Sequence, residues 1–169
     1  ISLTDYDYVD WILGEEGTST SAFTGTEQTL VKSFLESGRF LFISGSEIGY
    51  DLSGQGSTSD HQFYTNYLKA DYISDAAGNN VYSGYGVNNS IFDGISGVTF
   101  DDGSQGTYNV DWPDGIFPVG DALICAKYDG VNYSTQGGMG VEYVGTFGSG
   151  NMDGGLVYLA VGFETIYPE

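Results

Sequence analysis

The chain has 169 residues, of which 23 are Asp or Glu and 4 are Lys or Arg, so its formal net charge is −19. Nucleic acid and anionic membranes are poor partners for such a chain, because binding them requires clustered cationic side chains. Cations, neutral sugars and basic protein surfaces fit this charge better, although an acidic surface also serves solubility or adaptation to salt.

The length and the 40% hydrophobic content predict a single folded domain over residues 1–169 with a substantial core. Cys125 is the only cysteine, so no disulfide can form within the chain and cysteine content does not indicate a compartment. The sequence shows no signal peptide and no apolar segment of membrane-spanning length. Because it opens on Ile1 rather than Met, we expect a mature or excised part of a longer protein.

The first predicted element is a buried strand over residues 9–13. Thr24 and Glu27 form a capping box, and the apolar side chains that follow at helical spacing predict a helix ending at Gly38. These side chains are Leu30, Val31, Phe34 and Leu35. Residues 39–43 are predicted to form a second buried strand, parallel to the first because a helix connects the two.

A second capping box, Ser59 with Gln62, predicts a second helix. The sequence after this helix is rich in short β-type runs separated by turns. Asp129-Gly130, between the runs 122–128 and 131–133, predicts a hairpin. The remaining short strands are predicted at residues 71–73, 81–83, 98–100 and 107–112.

Carboxylates follow three of the apolar strands. Glu15 and Glu16 come after the first strand, Glu47 after the second, and Glu164 at the end of a central strand predicted over residues 156–163. Parallel strands would bring these groups together at the carboxyl edge of the sheet, where α/β folds bind ligands. There they would act as an acid/base pair or as ligands of a hard cation. The alternative is that they cap helices or bond to loop amides.

The turn after the second strand carries Ser44 and Ser46, which we predict to bind ligand together with Glu15, Glu47 and Glu164. Ser46 does not lie in a Gly-x-Ser-x-Gly nucleophile elbow. The only histidine, His61, falls in an exposed helix, and Cys125 falls inside an apolar strand. Hydrolysis by a Ser/His or Cys/His pair is therefore not expected.

Metal-binding signals are weak. Asp101 and Asp102 lie in one oxygen-rich turn and Asp153 in another, but neither turn has the full spacing of a calcium-binding loop. Calcium is the only candidate cofactor that the sequence offers.

Two segments, SGSEIGYDL (44–52) and GFETI (162–166), carry the most specific part of a resemblance that covers nearly the whole chain. The chain resembles the class I glutamine amidotransferase-like domain of secreted bacterial multidomain proteins described as xanthan lyase-like or amidase-like. The resemblance implies an α/β fold: a flavodoxin-like three-layer sandwich with a central, mostly parallel sheet and a β-rich antiparallel insertion in the C-terminal half. It also implies an extracellular or periplasmic location, and a chain that lacks the family's first strand and helix and its last helix.

The family's catalytic residues do not carry over. Where active members have an elbow cysteine this chain has Ser44-Gly45-Ser46, and Phe163 stands where a histidine would precede Glu164. We therefore expect a non-catalytic accessory domain of a polysaccharide- or cell-wall-degrading protein, with polysaccharide or the other domains of that protein as partners. One alternative is a glycan hydrolase or lyase that uses Glu16, Glu47 and Glu164, with carboxylates about 5–10 Å apart. The other is a calcium-stabilised structural module.

Overall fold

The computed structural model describes residues 2–17, 19–79 and 81–167, so Ile1 lies outside the described residues. These ranges contain the α-helices α1 (Gly25–Glu36), α2 (Thr58–Tyr67) and α3 (Tyr133–Gln136). The strands, in chain order, are β1 (Tyr8–Gly14), β2 (Phe40–Gly45), β3 (Ala70–Ser74), β4 (Ser83–Gly86), β5 (Val98–Phe100), β6 (Gly115–Pro118), β7 (Leu123–Tyr128), β8 (Gly140–Thr146), β9 (Asp153–Leu159) and β10 (Ile166–Tyr167).

Most of the described strands belong to one mixed sheet of eight strands, in the order β1-β2-β9-β8-β7-β4-β5-β10. β1, β2 and β9 are parallel to one another. Every other neighbouring pair in this sheet is antiparallel. The sheet curls into a half-barrel, while β3 and β6 form a separate antiparallel pair.

The predicted flavodoxin-like sandwich with a mostly parallel sheet is wrong. Parallel pairing needs a crossover of about a dozen residues or more, which α1 supplies between β1 and β2. β8 and β9 are joined only by the short loop 147–152, which permits antiparallel pairing alone. The antiparallel strands extend the main sheet and do not form a separate insertion.

The predicted strand–helix–strand unit at the start of the chain is confirmed. The Thr24 hydroxyl accepts a hydrogen bond from the Glu27 backbone N–H, and the Glu27 carboxylate accepts one from the Thr24 N–H at 2.8 Å. Gly38, with φ +76°, follows the end of α1 as predicted. The predicted buried face of α1 is confirmed at Val31, Phe34 and Leu35, which are buried. Leu30, which was predicted on the same face, is exposed.

β1 is less buried than the sequence pattern predicts. It forms the edge of the main sheet and pairs only with β2. Within β1 only Leu13 is buried, whereas Tyr8 and Ile12 are exposed on the other face.

α2 begins before the predicted capping box. The Ser57 hydroxyl accepts from the Asp60 N–H, and the Asp60 carboxylate accepts from the Ser57 N–H at 2.9 Å. The predicted pair was Ser59 with Gln62, because Gln is common at the third helical position of a capping box. In the structure Asp60 occupies that position and makes the same reciprocal bonds with Ser57.

Predictions for the later strands are only partly confirmed. The strands at 98–100 and 71–73 correspond to β5 and β3, and the strand at 81–83 is displaced toward β4. The strand at 107–112 is wrong, because this segment makes only an isolated bridge between Asn109 and Asp102. The hairpin predicted around Asp129-Gly130 is also wrong, because the described residues 131–133 form no strand and Asn132 caps α3. β7 pairs instead with β8, a strand that was not predicted.

The two longer helices, α1 and α2, cover one face of the parallel strands. Their buried side chains pack against Leu41, Ile43, Leu156 and Tyr158. A second cluster, which includes Phe100, Tyr128, Met139 and Val161, fills the antiparallel part of the fold. Among the described helices, none has the length and apolar character needed to cross a bilayer.

Candidate functional site

The parallel strands end at a common edge that carries the predicted carboxylates. Glu15 and Glu16 follow β1, and Glu47 lies just beyond β2. The Ser46 N–H donates to the Gly14 carbonyl oxygen at 3.2 Å, so the turns after β1 and β2 are in direct contact. Glu164 follows β9 at the same edge, in a short 3₁₀ helix over Phe163–Thr165. Parallel topology therefore brings these segments to one edge, as predicted.

Glu47 is a buried carboxyl group at this edge, with 5% of its surface exposed. Gly17 packs so closely on it that a Cβ at Gly17 would lie 2.5 Å from the Glu47 carbonyl oxygen. Burial, together with the nearby charges of Asp75 and Asp111, raises the pKa of Glu47 to about 7. Within the described residues its Oε1 has no hydrogen-bond partner. Glu47 therefore titrates near neutral pH, which suits a general acid or base.

Asp114 lies beside Glu47 and was not predicted as a site residue. It is fully buried, and its Oδ2 accepts hydrogen bonds from the backbone N–H groups of Gly49 at 2.6 Å and Tyr50 at 3.3 Å. Burial raises its pKa far above the ordinary range, and the Glu47 charge adds to this shift. In the sequence Asp114 stands in Pro-Asp-Gly, a common turn pattern, so no signal separated it from an ordinary turn residue.

Glu164 makes its contacts in a different group of residues. Its Oε1 accepts a hydrogen bond from the Tyr108 hydroxyl at 2.7 Å and would lie 3.3 Å from a Cβ at Gly14. Burial raises the pKa of Tyr108, and the carboxylates of Glu164 and Glu15 raise it further. Glu15 and Glu16 are exposed. The contacts thus define two groups, one around Glu47 and Asp114 and the other around Glu164 and Tyr108.

The residues considered as a nucleophile or as its base lie in different surroundings. Ser44 and Ser46 are buried, and His61 is paired with Ser53 through a 2.9 Å contact between Nδ1 and Oγ. Burial raises the pKa of the Cys125 thiol, which disfavours the reactive thiolate. Because His61 contacts Ser53, the expectation that no Ser/His or Cys/His pair acts here stays a prediction.

The candidate calcium ligands are placed in structural turns. Asp101 is buried, and its carboxylate accepts hydrogen bonds from Gly103, Gln105 and Thr107. Burial raises the pKa of Asp101, but these bonds outweigh that effect and lower the pKa to about 2. Asp102 and Asp153 are exposed. The described residues contain no group of three or more His, Cys, Asp or Glu that could hold a metal ion, and the calcium prediction remains untested.

The face of the parallel strands opposite α1 and α2 is uncovered. Strand register places two rows of side chains across it: Asp10, Phe42, Val157, Glu142 and Leu123 in one row, and Tyr8, Phe40, Gly155 and Val144 in the other. We call these nine residues the open face. Tyr8 is 74% exposed, Val144 73% and Leu123 60%.

The open face forms the floor of a groove of about 850 Å³. Phe163 packs edge-on against Phe42 beside this floor, with ring centroids 5.4 Å apart. The charged residues along the groove are all acidic: Asp10, Asp121 and Glu142. None of the predicted site residues lines it. The sequence showed that β2 is apolar on both faces, but not that one face stays uncovered.

No protein-family model matches the sequence, and no curated protein matches it. Among solved structures, the chain is similar to Gan42B, a GH42 beta-galactosidase, with a TM-score of 0.55 and 12% identity. That match covers 94% of this chain but only 19% of the galactosidase chain. The chain is also similar to the mmIFT52 N-terminal domain, with a TM-score of 0.58 and 15% identity over 94% of this chain and 67% of that one.

These comparisons and the sheet correct the predicted resemblance. The structural neighbours are a part of a beta-galactosidase and the mmIFT52 domain, and the chain has a mixed, curled sheet of eight strands. The assignment to the amidotransferase-like, flavodoxin-like family is therefore wrong. At such low identity the neighbours indicate a similar fold and nothing about activity.

Proposed function

We propose that this chain is a non-catalytic module that packs against a protein partner through its open face, as part of a larger carbohydrate-active protein or assembly. The observation that carries the proposal is the uncovered apolar face of β1, β2 and β9. Parallel strands are normally buried on both faces. A contiguous exposed apolar surface on a folded domain usually marks an interaction site.

The structural neighbours support a modular role. The match spans about a fifth of the galactosidase chain and about two thirds of the mmIFT52 domain, so similar folds occur as parts of longer chains. The carbohydrate context comes from the beta-galactosidase alone. The extracellular or periplasmic location was implied only by the amidotransferase-like resemblance and stays untested.

The positions of the carboxylates favour packing over catalysis. Glu16 is exposed and Glu47 is buried, while Glu164 is bonded to Tyr108. None of these three carboxylates lines the groove of the open face. A hydrolase or lyase that uses them stays a prediction.

Thiol labelling tests the proposal. Val144→Cys places a reactive group on the open face, and Leu30→Cys places one on the exposed side of α1. The native Cys125 is buried and contributes little background. We expect iodoacetamide to label both variants rapidly in the purified chain. In the source cells, Val144→Cys should be labelled at least about tenfold more slowly because the partner covers it.

Leu30→Cys is the matched control, since it should be labelled at the same rate in both settings. Equal labelling of Val144→Cys in the purified chain and in cells would contradict the proposal. Equal protection of both cysteines would also contradict it, because the effect would then not be specific to the open face.

A further inference from the structure

Resting on the proposed function, we infer that the partner presents an amphipathic α-helix with basic residues on both sides of its apolar stripe, and that this helix lies along β2 and β9. This helix belongs to a second protein.

The open face has an apolar centre with an acidic residue on each side. Phe42 on β2 lies beside Val157 on β9 in the strand register. The same row continues to Asp10 on β1 and to Glu142 on β8. The second row has Phe40 and Gly155 at its centre, so the apolar strip runs along both central strands.

The spacing of the acidic residues matches the width of a helix. Three strand spacings separate β1 from β8, which places Asp10 and Glu142 about 14 Å apart across the sheet. A helix with its side chains is about 10–12 Å wide. A helix centred over Phe42 and Val157 would therefore hold its flanking residues above the two carboxylates. Along their own direction, β2 and β9 each span about 20 Å. This is the length of an α-helix of about 14 residues.

The charges near each end of this row favour basic flanks. Partial burial raises the pKa of Asp10 and the Glu164 carboxylate adds to this shift, so a cation placed there would relieve repulsion between two acids. The Glu142 Oε2 accepts a hydrogen bond from the Ile91 N–H at 2.8 Å. Asp121 is a further acidic residue that lines the groove. Interfacial charges of opposite sign increase association rate and specificity.

Other occupants fit the open face less well. A second copy would bring another chain of net charge −19 against the same acidic residues. An anionic membrane surface would be repelled in the same way. A sugar needs several converging polar groups, but the centre of the face consists of Phe40, Phe42, Gly155 and Val157.

The test uses three synthetic peptides of about 14 residues. The first is a Leu/Lys helix with one leucine stripe, the second has the same composition in scrambled order, and the third replaces every lysine of the striped peptide by glutamate. We expect titration calorimetry on the purified chain to show that the striped Leu/Lys peptide binds at least about tenfold tighter than either control. Equal binding of the striped and scrambled peptides, or tighter binding of the Leu/Glu peptide, would overturn the inference.

Substitutions in the chain locate the binding. Leu123→Asp and Val144→Asp lie at exposed positions of the open face and should each weaken binding about tenfold, whereas Leu30→Asp on α1 should not.

The pair Asp10→Asn and Glu142→Gln should remove the preference for lysine over glutamate. Removing the same charge elsewhere, by Asp71→Asn and Asp129→Asn, should retain it. Loss of the preference in both double variants would show a general charge effect and overturn the inference.

Cellohexaose and a second copy serve as rival ligands. Binding of cellohexaose that Val144→Asp abolishes, or a dimer in sedimentation that Val144→Asp dissociates, would assign the face to another occupant and overturn the inference. If no peptide binds while Val144→Cys is still protected in cells, the helix is wrong and the proposed packing function stands. If that protection is also absent, both fail.

Discussion

Glu47 combines a buried carboxyl group with an unpaired oxygen and acidic neighbours. The pKa of this group is raised from 4.5 to about 7 by burial and by Asp75 and Asp111. The folded protein therefore holds a proton on Glu47 over a pH range in which the unfolded chain has released it. The free energy of unfolding therefore depends on pH, whether or not Glu47 takes part in a reaction.

The sign of this dependence follows from the number of protons bound. Between pH 4.5 and about 7 the folded state binds more protons at Glu47 than the unfolded state, so stability falls as pH rises through that window. Glu47→Gln has no such proton to lose. We expect the variant to match the wild type near pH 4 and to exceed it by about 2–3 kcal/mol above pH 7. Urea denaturation from pH 4 to pH 8 measures this difference.

Glu16→Gln is the control, because Glu16 is the exposed carboxylate that precedes Gly17 in the turn after β1. Its stability should follow the wild type across the whole pH range. Parallel curves for the wild type and Glu47→Gln would contradict the raised pKa.

At the scale of the element, the start of α2 gives a direct test of helix capping. Ser57 makes the reciprocal bonds with Asp60, while Ser59 is exposed and its hydroxyl contacts only that of Ser57. We expect Ser57→Ala to lower the free energy of unfolding by about 1 kcal/mol, because it leaves a helix N–H without its partner. Denaturant titration measures the loss.

Ser59→Ala is the matched control, two residues away and chemically identical. It should change stability by less than about 0.5 kcal/mol. A larger loss from Ser59→Ala than from Ser57→Ala would show that the helix begins at the later position.

The capped helices show which part of the fold the sequence could predict. Thr24 and Glu27 were identified correctly because a capping box depends on residues three positions apart. β8 was missed because its residues include Gly140 and Gly145, which weaken a strand pattern. The hairpin at Asp129-Gly130 was wrong because a local turn signal does not determine which strand β7 pairs with. That choice depends on packing between distant parts of the chain.

At the scale of the molecule, the net charge of −19 predicts a dependence on salt. Like charges repel in the compact state, and raising the ionic strength from 0.01 M to 0.15 M shortens the screening length from about 30 Å to about 8 Å. We expect sodium chloride to stabilise the fold by about 1 kcal/mol over this range, which raises Tm by roughly 2–4 °C. Differential scanning calorimetry measures the shift.

The choice of cation separates screening from specific binding. Tetramethylammonium chloride at matched ionic strength should give the same rise in Tm as sodium chloride. Calcium chloride at that ionic strength should give no additional rise in Tm that EDTA reverses. A further rise in calcium, reversed by EDTA, would instead support the calcium-stabilised module.

The candidate sites illustrate the same limit as the fold. The carboxyl edge was predicted because β1, α1 and β2 are consecutive and their parallel pairing follows from the connection between them. The open face was not predicted, because it depends on which elements cover a sheet and the sequence of a strand does not contain that information. Asp10 and Glu142 lie far apart in the chain, and only the insertion of β9 and β8 next to β2 places them on one surface.

The central position of β9 also determines when the fold can form during synthesis. β2 ends at residue 45 and β9 begins at residue 153, so a ribosome adding about 5–20 residues per second needs roughly 5–20 s to go from one to the other. During that time Leu41 and Ile43 have no strand on the side where β9 will pair. Nascent chains therefore expose an apolar strand edge for seconds, until β9 has been synthesised.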